Sequence, residues 1–438
     1  LPDKETEAAK YKDYFAFEEP IHKIPSHRIL AILRGFLEGF LRMAIAPPEE
    51  MALALMEKHL VVNQSAAAVQ VQKALKEAYR RLLQPSLESE CRTVLKQKAD
   101  EEAIQVFAEN LRQLLLSAPL GSKRVLALDP GYRTGCKLVC LDEKGELLHH
   151  DLIYVHEANR LSSSEALVRH LVDQFKVQAF AIGDGTAGRE TEQFIKKLGL
   201  GLPVFLVNED GASVYSASPI AREEFPDQDI TVRGSISIGR RLMDPLAELV
   251  KIDPKSIGVG QYQHDVNPYR LKEKLDQTVE SCVNAVGVNL NTASKQLLQY
   301  VSGINESVAE NIVAHRNKIG AFGSRQELMD VPRLGAKAFE QCAGFLRIPG
   351  AAHPLDASAV HPEAYAVVEA MAAAAALPLT ALMGQAAAID RINPAPFVSE
   401  KIGLLGLKDI LQELKKPGLD PRDPLEQFEF AAVYSMED

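Results

Sequence analysis

Three carboxylates in this chain stand just after short apolar runs. Asp129 follows Val125-Leu-Ala-Leu, Asp184 follows the run ending at Ile182, and Glu209 follows Val204-Phe-Leu-Val. Such runs, bounded by Gly and Pro, read as buried strands. Acids at the ends of neighbouring strands can converge and hold Mg²⁺, as two-metal phosphodiester hydrolysis requires. Each acid taken alone also suits a turn or a helix cap, Asp184-Gly185 being an example. Asp129, Asp184 and Glu209 are therefore the candidate catalytic acids and the candidate metal ligands. Mg²⁺ is expected only if that site is active, and no other cofactor is called for.

A second chemistry is suggested by an internal repeat at an offset of 30. Val301-Ser-Gly-Ile-Asn-Glu-Ser-Val-Ala-Glu aligns with Val331-Pro-Arg-Leu-Gly-Ala-Lys-Ala-Phe-Glu, pairing Val301 with Val331, Ile304 with Leu334 and Glu310 with Glu340. Each copy has an apolar residue, a tight turn with a Gly, another apolar residue and then a new helix. Gly allows positive φ and has no Cβ, so a sugar-phosphate backbone can come close. The helix that follows offers free N–H groups and its positive dipole end to a phosphate. This is the helix-hairpin-helix pattern, whose contacts go to phosphates with little sequence preference. The turns depart from the usual two Gly residues: Gly303 is followed by Ile304 and Asn305, whereas Gly335 is preceded by Arg333. The candidate nucleic-acid contacts are Gly303, Ile304, Asn305 and Gly335, with Arg316, Arg325, Arg333 and Lys337 supplying charge. Residues 289–350 carry 7 Lys/Arg against 5 Asp/Glu, slightly basic inside a chain of net charge −10. The acidic total argues against coating the whole molecule in nucleic acid, while local patches decide phosphate binding.

The elements that must position these groups follow from periodicity. Residues 1–120 read as a helical scaffold, with a capped start at Ser26 and apolar Leu30, Leu33 and Leu37 at helical spacing. Lys73, Lys76 and Arg80 form a cationic ridge there, read as a solvated face. From residue 121 to 251 short strands come in succession and then alternate with helices, which predicts a mixed sheet with helices on its faces. Residues 252–288 read as a hinge and a long helix, 289–350 as the tandem hairpins, and 351–438 as a C-terminal helical domain. The fold class is thus multidomain and mainly α, with one α/β domain.

With 46% hydrophobic and 25% charged residues, the composition is that of a globular protein. No apolar run reaches the ~18 residues of a membrane span, so no membrane partner is expected. No signal-peptide pattern opens the chain, and a cytoplasmic location is expected. A start without Met and an end at Ser-Met-Glu-Asp suggest a piece of something longer. Cys136 and Cys140 would share a strand face, but no second pair completes a zinc site, so the five cysteines read as buried thiols.

The ordered acids resemble a known pattern. Strand-Asp129-Pro-Gly with Gly135 and Lys137, then Gly183-Asp-Gly, then Asn208-Glu209-Asp210-Gly-Ala-Ser is similar to the YqgF branch of the ribonuclease H-like superfamily, related to Holliday-junction resolvases. The resemblance implies a last acid at the start of the final helix. Arg233-Gly-Ser235-Ile-Ser237 stands there instead, and the nearest carboxylate, Asp244, comes two turns later. Longer matches resemble the Tex family of bacterial transcription accessory proteins. They include Pro25-Ser-His-Arg28, Ala103–Arg112, Leu128–Lys137, Gly185–Glu190, Glu209–Ser218, Asp244–Lys251, Val286–Ser294 and Lys416–Arg422. That resemblance implies a ribonuclease H-like domain between helical scaffold and hairpin domains, plus a preceding helix-turn-helix region and a following RNA-binding OB-fold domain. It implies RNA or DNA as partner, and RNA polymerase or other transcription machinery. The expected function is a non-catalytic nucleic-acid-binding accessory factor. The alternative is an Mg²⁺-dependent nuclease acting on structured nucleic acid, with Asp244 as fourth ligand.

Overall fold

The fold was analysed in a computed structural model that describes residues 5–418, 420–423 and 425. The chain ends on which the expectation of a longer protein rests, residues 1–4 and 435–438, lie outside the described residues, as does Leu419 within the Lys416–Arg422 match. The chain is multidomain and mainly helical, with one mixed five-stranded sheet. It divides into two compact units, Leu1–Asn110 with Val259–Lys274, and Leu111–Gly258 with Leu275–Asp438.

The first unit contains the helices Ser26–Leu37, Glu49–Leu60 and Ala66–Ala78. Ile29, Leu30 and Leu33 are buried, as the spacing predicts. Ser26 is the first helical residue and Pro25 takes the cap position; the Ser26 hydroxyl donates to Glu102 instead. On the cationic ridge Lys73, Lys76 and Arg80 are exposed, and Arg80 is paired with Glu49 at 2.9 Å. Val259–Lys274, expected as part of a hinge, folds with these helices. Asn110 Nδ2 donates to the Val259 carbonyl at 2.7 Å, Lys96 Nζ to the Asp265 carbonyl at 2.8 Å, and Arg34 pairs with the Asp265 carboxylate.

In the second unit the strands are β1 Val125–Asp129, β2 Cys136–Leu141, β3 Leu147–Ile153, β4 Ala179–Gly183 and β5 Val204–Val207, in the order β3-β2-β1-β4-β5. β1 pairs antiparallel with β2 and parallel with β4, and β4 is parallel to β5. The central strands are apolar throughout because both sheet faces are covered. One face packs Leu126, Leu128, Phe180 and Ile182 against residues of the helices Leu161–Phe175 and Gly188–Lys197. The other packs Val125, Ala127 and Ala181 against Ile236, Ile238 and Leu242 of the helix Ile230–Met243. Cys136 and Cys140 lie in the first of these cores, and burial pushes the Cys140 thiol up to about 12.

A helix Pro268–Val286 leads to a two-stranded parallel pair, Val288–Asn289 with Leu346–Arg347, which brackets both hairpins. Beyond it the helices Tyr365–Ala374, Leu379–Leu382 and Leu404–Lys415 surround a core that includes Leu355, Val368, Met371 and Leu407. Among the described residues no helix is long and apolar enough to cross a membrane.

Candidate nucleic-acid interface

The sequence repeat is also a repeat of backbone conformation. Val301 and Val331 are buried, Ile304 and Leu334 are buried, and both bends close with a hydrogen bond back to the valine carbonyl: Ile304 N to Val301 O at 3.0 Å, Leu334 N to Val331 O at 3.2 Å. The left-handed residue of each bend is Gly303 (φ +80) and Arg333 (φ +67). Gly335 therefore does not supply the positive φ. It is extended (φ −82, ψ 173), as is its equivalent Asn305 (φ −95, ψ 174), and both are cap residues of the next helices, Ala336–Cys342 and Glu306–Ile319. The conformational need falls on an arginine in the second copy, at a cost on the order of 1 kcal/mol.

The two hairpins pack as a pseudo-twofold pair. Asn311 Nδ2 donates to the carbonyl of Pro332 in the second bend at 2.8 Å. Its equivalent thirty residues on, Gln341, lies over the first bend, where a Cβ on Gly303 would come 2.7 Å from Gln341 Cβ. Arg333 donates across the seam to the Ser307 hydroxyl at 2.8 Å. Close packing is thus what Gly303 permits, yet the solvent side of the pair is open. Gly303, Asn305, Arg333, Gly335 and Lys337 are all exposed, whereas Ile304 points into the core.

One of the expected contacts, Arg325, is corrected, and a second, Arg316, is partly engaged by the protein itself. Arg316 donates to the carbonyls of Leu290 (3.0 Å) and Ala293 (2.8 Å), and burial holds its guanidinium below its usual value. Arg325 is 1% exposed and donates to the carbonyls of Leu346, Leu355, Val360 and Ser358 and to the Tyr365 hydroxyl. The Arg325 fork is thus filled by acceptors in the interior and is not available to a phosphate, whereas Arg316 is half-buried with only its Nη1 engaged. Asn305 is exposed, but its side-chain oxygen already accepts from Val308 N at 3.0 Å. Of the cations expected to make contacts, Arg333 and Lys337 stand exposed.

A left-handed residue before a buried apolar one also occurs outside the repeat, in a bend closed by Leu377 N on the Ala372 carbonyl at 3.1 Å. Ala376 is left-handed (φ +54), Leu377 packs into the C-terminal core, and extended Pro378 precedes the helix Leu379–Leu382. Without a Gly at the turn it gave no recognisable signal in the sequence, and it carries no charge.

The three acids do gather at the carboxyl ends of β1, β4 and β5, where parallel strands of an α/β sheet direct their exits. Burial pushes the Asp129 carboxyl up, opposed by the Lys137 ammonium paired across the β1–β2 ladder. Burial likewise pushes Glu209 up, reinforced by Asp129 and Asp184 and opposed by the Gly185 N–H that its carboxylate accepts. Glu209 fits against bare backbone: a Cβ on Gly183 or Gly185 would collide with its carboxylate oxygens. Glu209 N donates to Asp184 Oδ1 at 3.1 Å. Arg241, which nothing in the sequence singled out, is buried and donates to the carbonyls of Asn208 (2.9 Å) and Asp210 (2.8 Å), fixing the turn that carries Glu209.

The fourth corner is empty of carboxylate. Gly234 faces Asp129, and a Cβ there would lie 3.8 Å from Asp129 Oδ2. Asp244 does not fill the corner. It lies ten residues further along the Ile230–Met243 helix, roughly 15 Å at 1.5 Å per residue. There it caps the next helix through Ala247 N and is held by Arg422 at 2.7 Å. Among the described residues, no group of three or more His, Cys, Asp or Glu could hold a metal ion. With Gly at 234, three carboxylates gather here, and one oxygen of Asp184 also accepts the Glu209 amide.

Comparison with known proteins matches four stretches of the chain to family models. Residues 1–107 match "Tex central region-like", 123–243 "Tex protein YqgF-like domain", 283–347 "Helix-hairpin-helix motif" and 353–422 "HHH domain". The last covers a region whose sequence pattern indicates only a helical domain. The transcriptional accessory protein Tex of Neisseria gonorrhoeae is 48% identical over 439 residues, covering 98% of this chain and 58% of that protein. Protein YhgF of Escherichia coli is 46% identical, covering 99% of this chain and 58% of its own length. The human S1 RNA-binding domain-containing protein 1 is 39% identical over 359 residues, 78% of this chain and 36% of that protein. The chain therefore spans less than two thirds of the relatives it matches.

Proposed function

The chain belongs to the Tex family, and from that premise we propose that it is a nucleic-acid-binding part of a transcription accessory factor, acting without cleaving what it binds. The observation that carries this is the pair of hairpin bends, packed against each other yet exposed on one side, where Arg333 and Lys337 stand at the surface. Contacts of that kind go to the backbone and are sequence-tolerant, so the ligand is RNA or DNA of any sequence. The name of the gonococcal relative supports a role beside the transcription machinery, with RNA polymerase as the partner to test. The S1 domain named in the human relative supports RNA as the physiological ligand.

On this proposal the ribonuclease H-like unit is a scaffold whose acids are vestigial. The convergence of Asp129, Asp184 and Glu209 favours one rival, a Mg²⁺-dependent nuclease. Both are tested on the same samples. Labelled single-stranded, duplex and branched oligonucleotides should be bound, with affinity falling steeply as salt rises. They should remain intact after prolonged incubation with Mg²⁺ or Mn²⁺. Cleavage lost in Asp129→Asn would establish the nuclease, and salt-insensitive or absent binding would remove the proposal.

A further inference from the structure

The cationic ridge of the first unit stands among apolar side chains that no other part of the described chain covers. Ten of the twenty-six large apolar side chains exposed among the described residues fall between Met51 and Val94, a tenth of the chain. Single exposed apolar residues are ordinary, whereas a cluster of this density marks a contact surface. On the helix Ala66–Ala78, Val69, Lys73 and Lys76 follow one another at i, i+4 and i+7 and so share one side. Pro85 has no N–H to give, and just before it the helix takes a π turn, Tyr79–Leu83, closed by Gln84 N on the Tyr79 carbonyl. Tyr79 is buried and pins the turn from within, while Leu82 on its outside is 70% exposed. Leu83, Leu87 and Val94 share a further exposed side as the helix continues through Gln84–Leu115. Residues 69–87 carry four Lys/Arg against one acid, Glu77, in a chain of net charge −10. Arg80 is paired with Glu49, but Lys73, Lys76 and Arg81 are exposed and no carboxylate among the described residues pairs with them.

We infer that residues 69–94 form a docking surface for a protein partner, and that the partner presents an acidic amphipathic helix. Val69 shares its side with Lys73 and Lys76, and Arg81 stands next to Leu82 and Leu83, so the complementary surface carries apolar side chains flanked by carboxylates. A phosphate backbone would use the cations but leave Leu82, Leu83 and Leu87 touching nothing. An anionic bilayer takes a helix with its apolar and basic faces opposed and Trp or Phe at the water boundary. This chain has no Trp, and none of the ten exposed apolar side chains is aromatic. No residue of the hairpin bends takes part, so the inference goes beyond the nucleic-acid reading and does not depend on it.

The test uses the whole chain and a labelled 20-residue peptide with Leu at every third or fourth position and Glu between, beside a scrambled peptide of the same composition. The ordered peptide should bind more tightly than the scrambled one, with new hydrogen-exchange protection over residues 69–94. Lys73→Glu with Lys76→Glu, and separately Leu83→Ser with Leu87→Ser, should each weaken it ~10-fold. Both pairs lie on exposed positions, so thermal stability and the binding of a 20-nucleotide single strand should stay as they are. Equal binding of the two peptides, or an ordered-peptide affinity that neither pair of substitutions moves, overturns the docking inference and leaves the nucleic-acid proposal standing. Weaker oligonucleotide binding in Lys73→Glu with Lys76→Glu also overturns it, by making the ridge a phosphate contact. Sedimentation with phosphatidylglycerol vesicles that is lost in Leu83→Ser with Leu87→Ser overturns it in favour of a lipid surface.

Discussion

Arg325→Met should be among the most destabilising single substitutions in the hairpin region, costing about 3–5 kcal/mol, the range for breaking a buried charged network by removing one partner. The guanidinium sits at 1% exposure and ties together the carbonyls of Leu346, Leu355, Ser358 and Val360 and the Tyr365 hydroxyl. Asp356 completes the group, accepting from Arg325 N at 3.0 Å and from Tyr365 Oη at 2.6 Å. Methionine matches the stem but brings no donor, so several buried acceptors would be left without partners at once. Arg325→Lys should recover only part of the stability, because three donors on a point charge cannot reach acceptors arranged around a planar fork. Hydrogen exchange across residues 346–365 measures this directly: the amides there should lose protection in Arg325→Met. Intact protection combined with weaker oligonucleotide binding would instead return Arg325 to the surface role that the sequence suggested.

The second large effect is a gain. Gly234→Asp should create a divalent-cation site by adding a fourth carboxylate to the three already there. The new carboxylate would stand beside Asp129, whose Oδ2 is 3.8 Å from the position of the added Cβ. Asp129 is already pushed toward its neutral form by burial, so a second acid should lower stability in chelator. Mn²⁺ or Mg²⁺ should then restore it, by ~2.7 kcal/mol once the ion reaches a hundred times its dissociation constant. The native chain should show no such metal-dependent rise, and adding Asp129→Asn to the variant should abolish it. A metal-dependent shift in the native chain would mean that Asp129, Asp184 and Glu209 suffice without the fourth acid.

Much of this was legible in the residues because the signals were local. The apolar runs at Val125, Ala179 and Val204 marked strands whose ends carry the acids, and the thirty-residue repeat marked both bends. What stayed hidden depended on three-dimensional partners. A basic residue near a bend reads as a phosphate contact, but whether its guanidinium faces water or a ring of carbonyls is settled by distant chain. For Arg325 that means residues 346–365, and for Arg316 the turn at Leu290–Ala293. Asp244 resembled a spare ligand in the linear sequence, but helical rise separates it from Gly234 in space and Arg422, nearly 180 residues away in sequence, pairs with it. Gly335 drew attention as the turn glycine, yet the left-handed position is Arg333, since a glycine in sequence marks permission for positive φ and not its use. The bend at Ala376 had no glycine to mark it. The role of Arg241, whose partners are the carbonyls of Asn208 and Asp210, had no sequence signature.

The most direct test of the central claim is hydrogen exchange of the native chain with and without a saturating single-stranded oligonucleotide. New protection should appear in peptides covering residues 301–307 and 331–337, and not at the strand exits that carry Asp129, Asp184 and Glu209. Protection at those exits with none at either bend would contradict it, and would place the nucleic acid on the ribonuclease H-like unit instead.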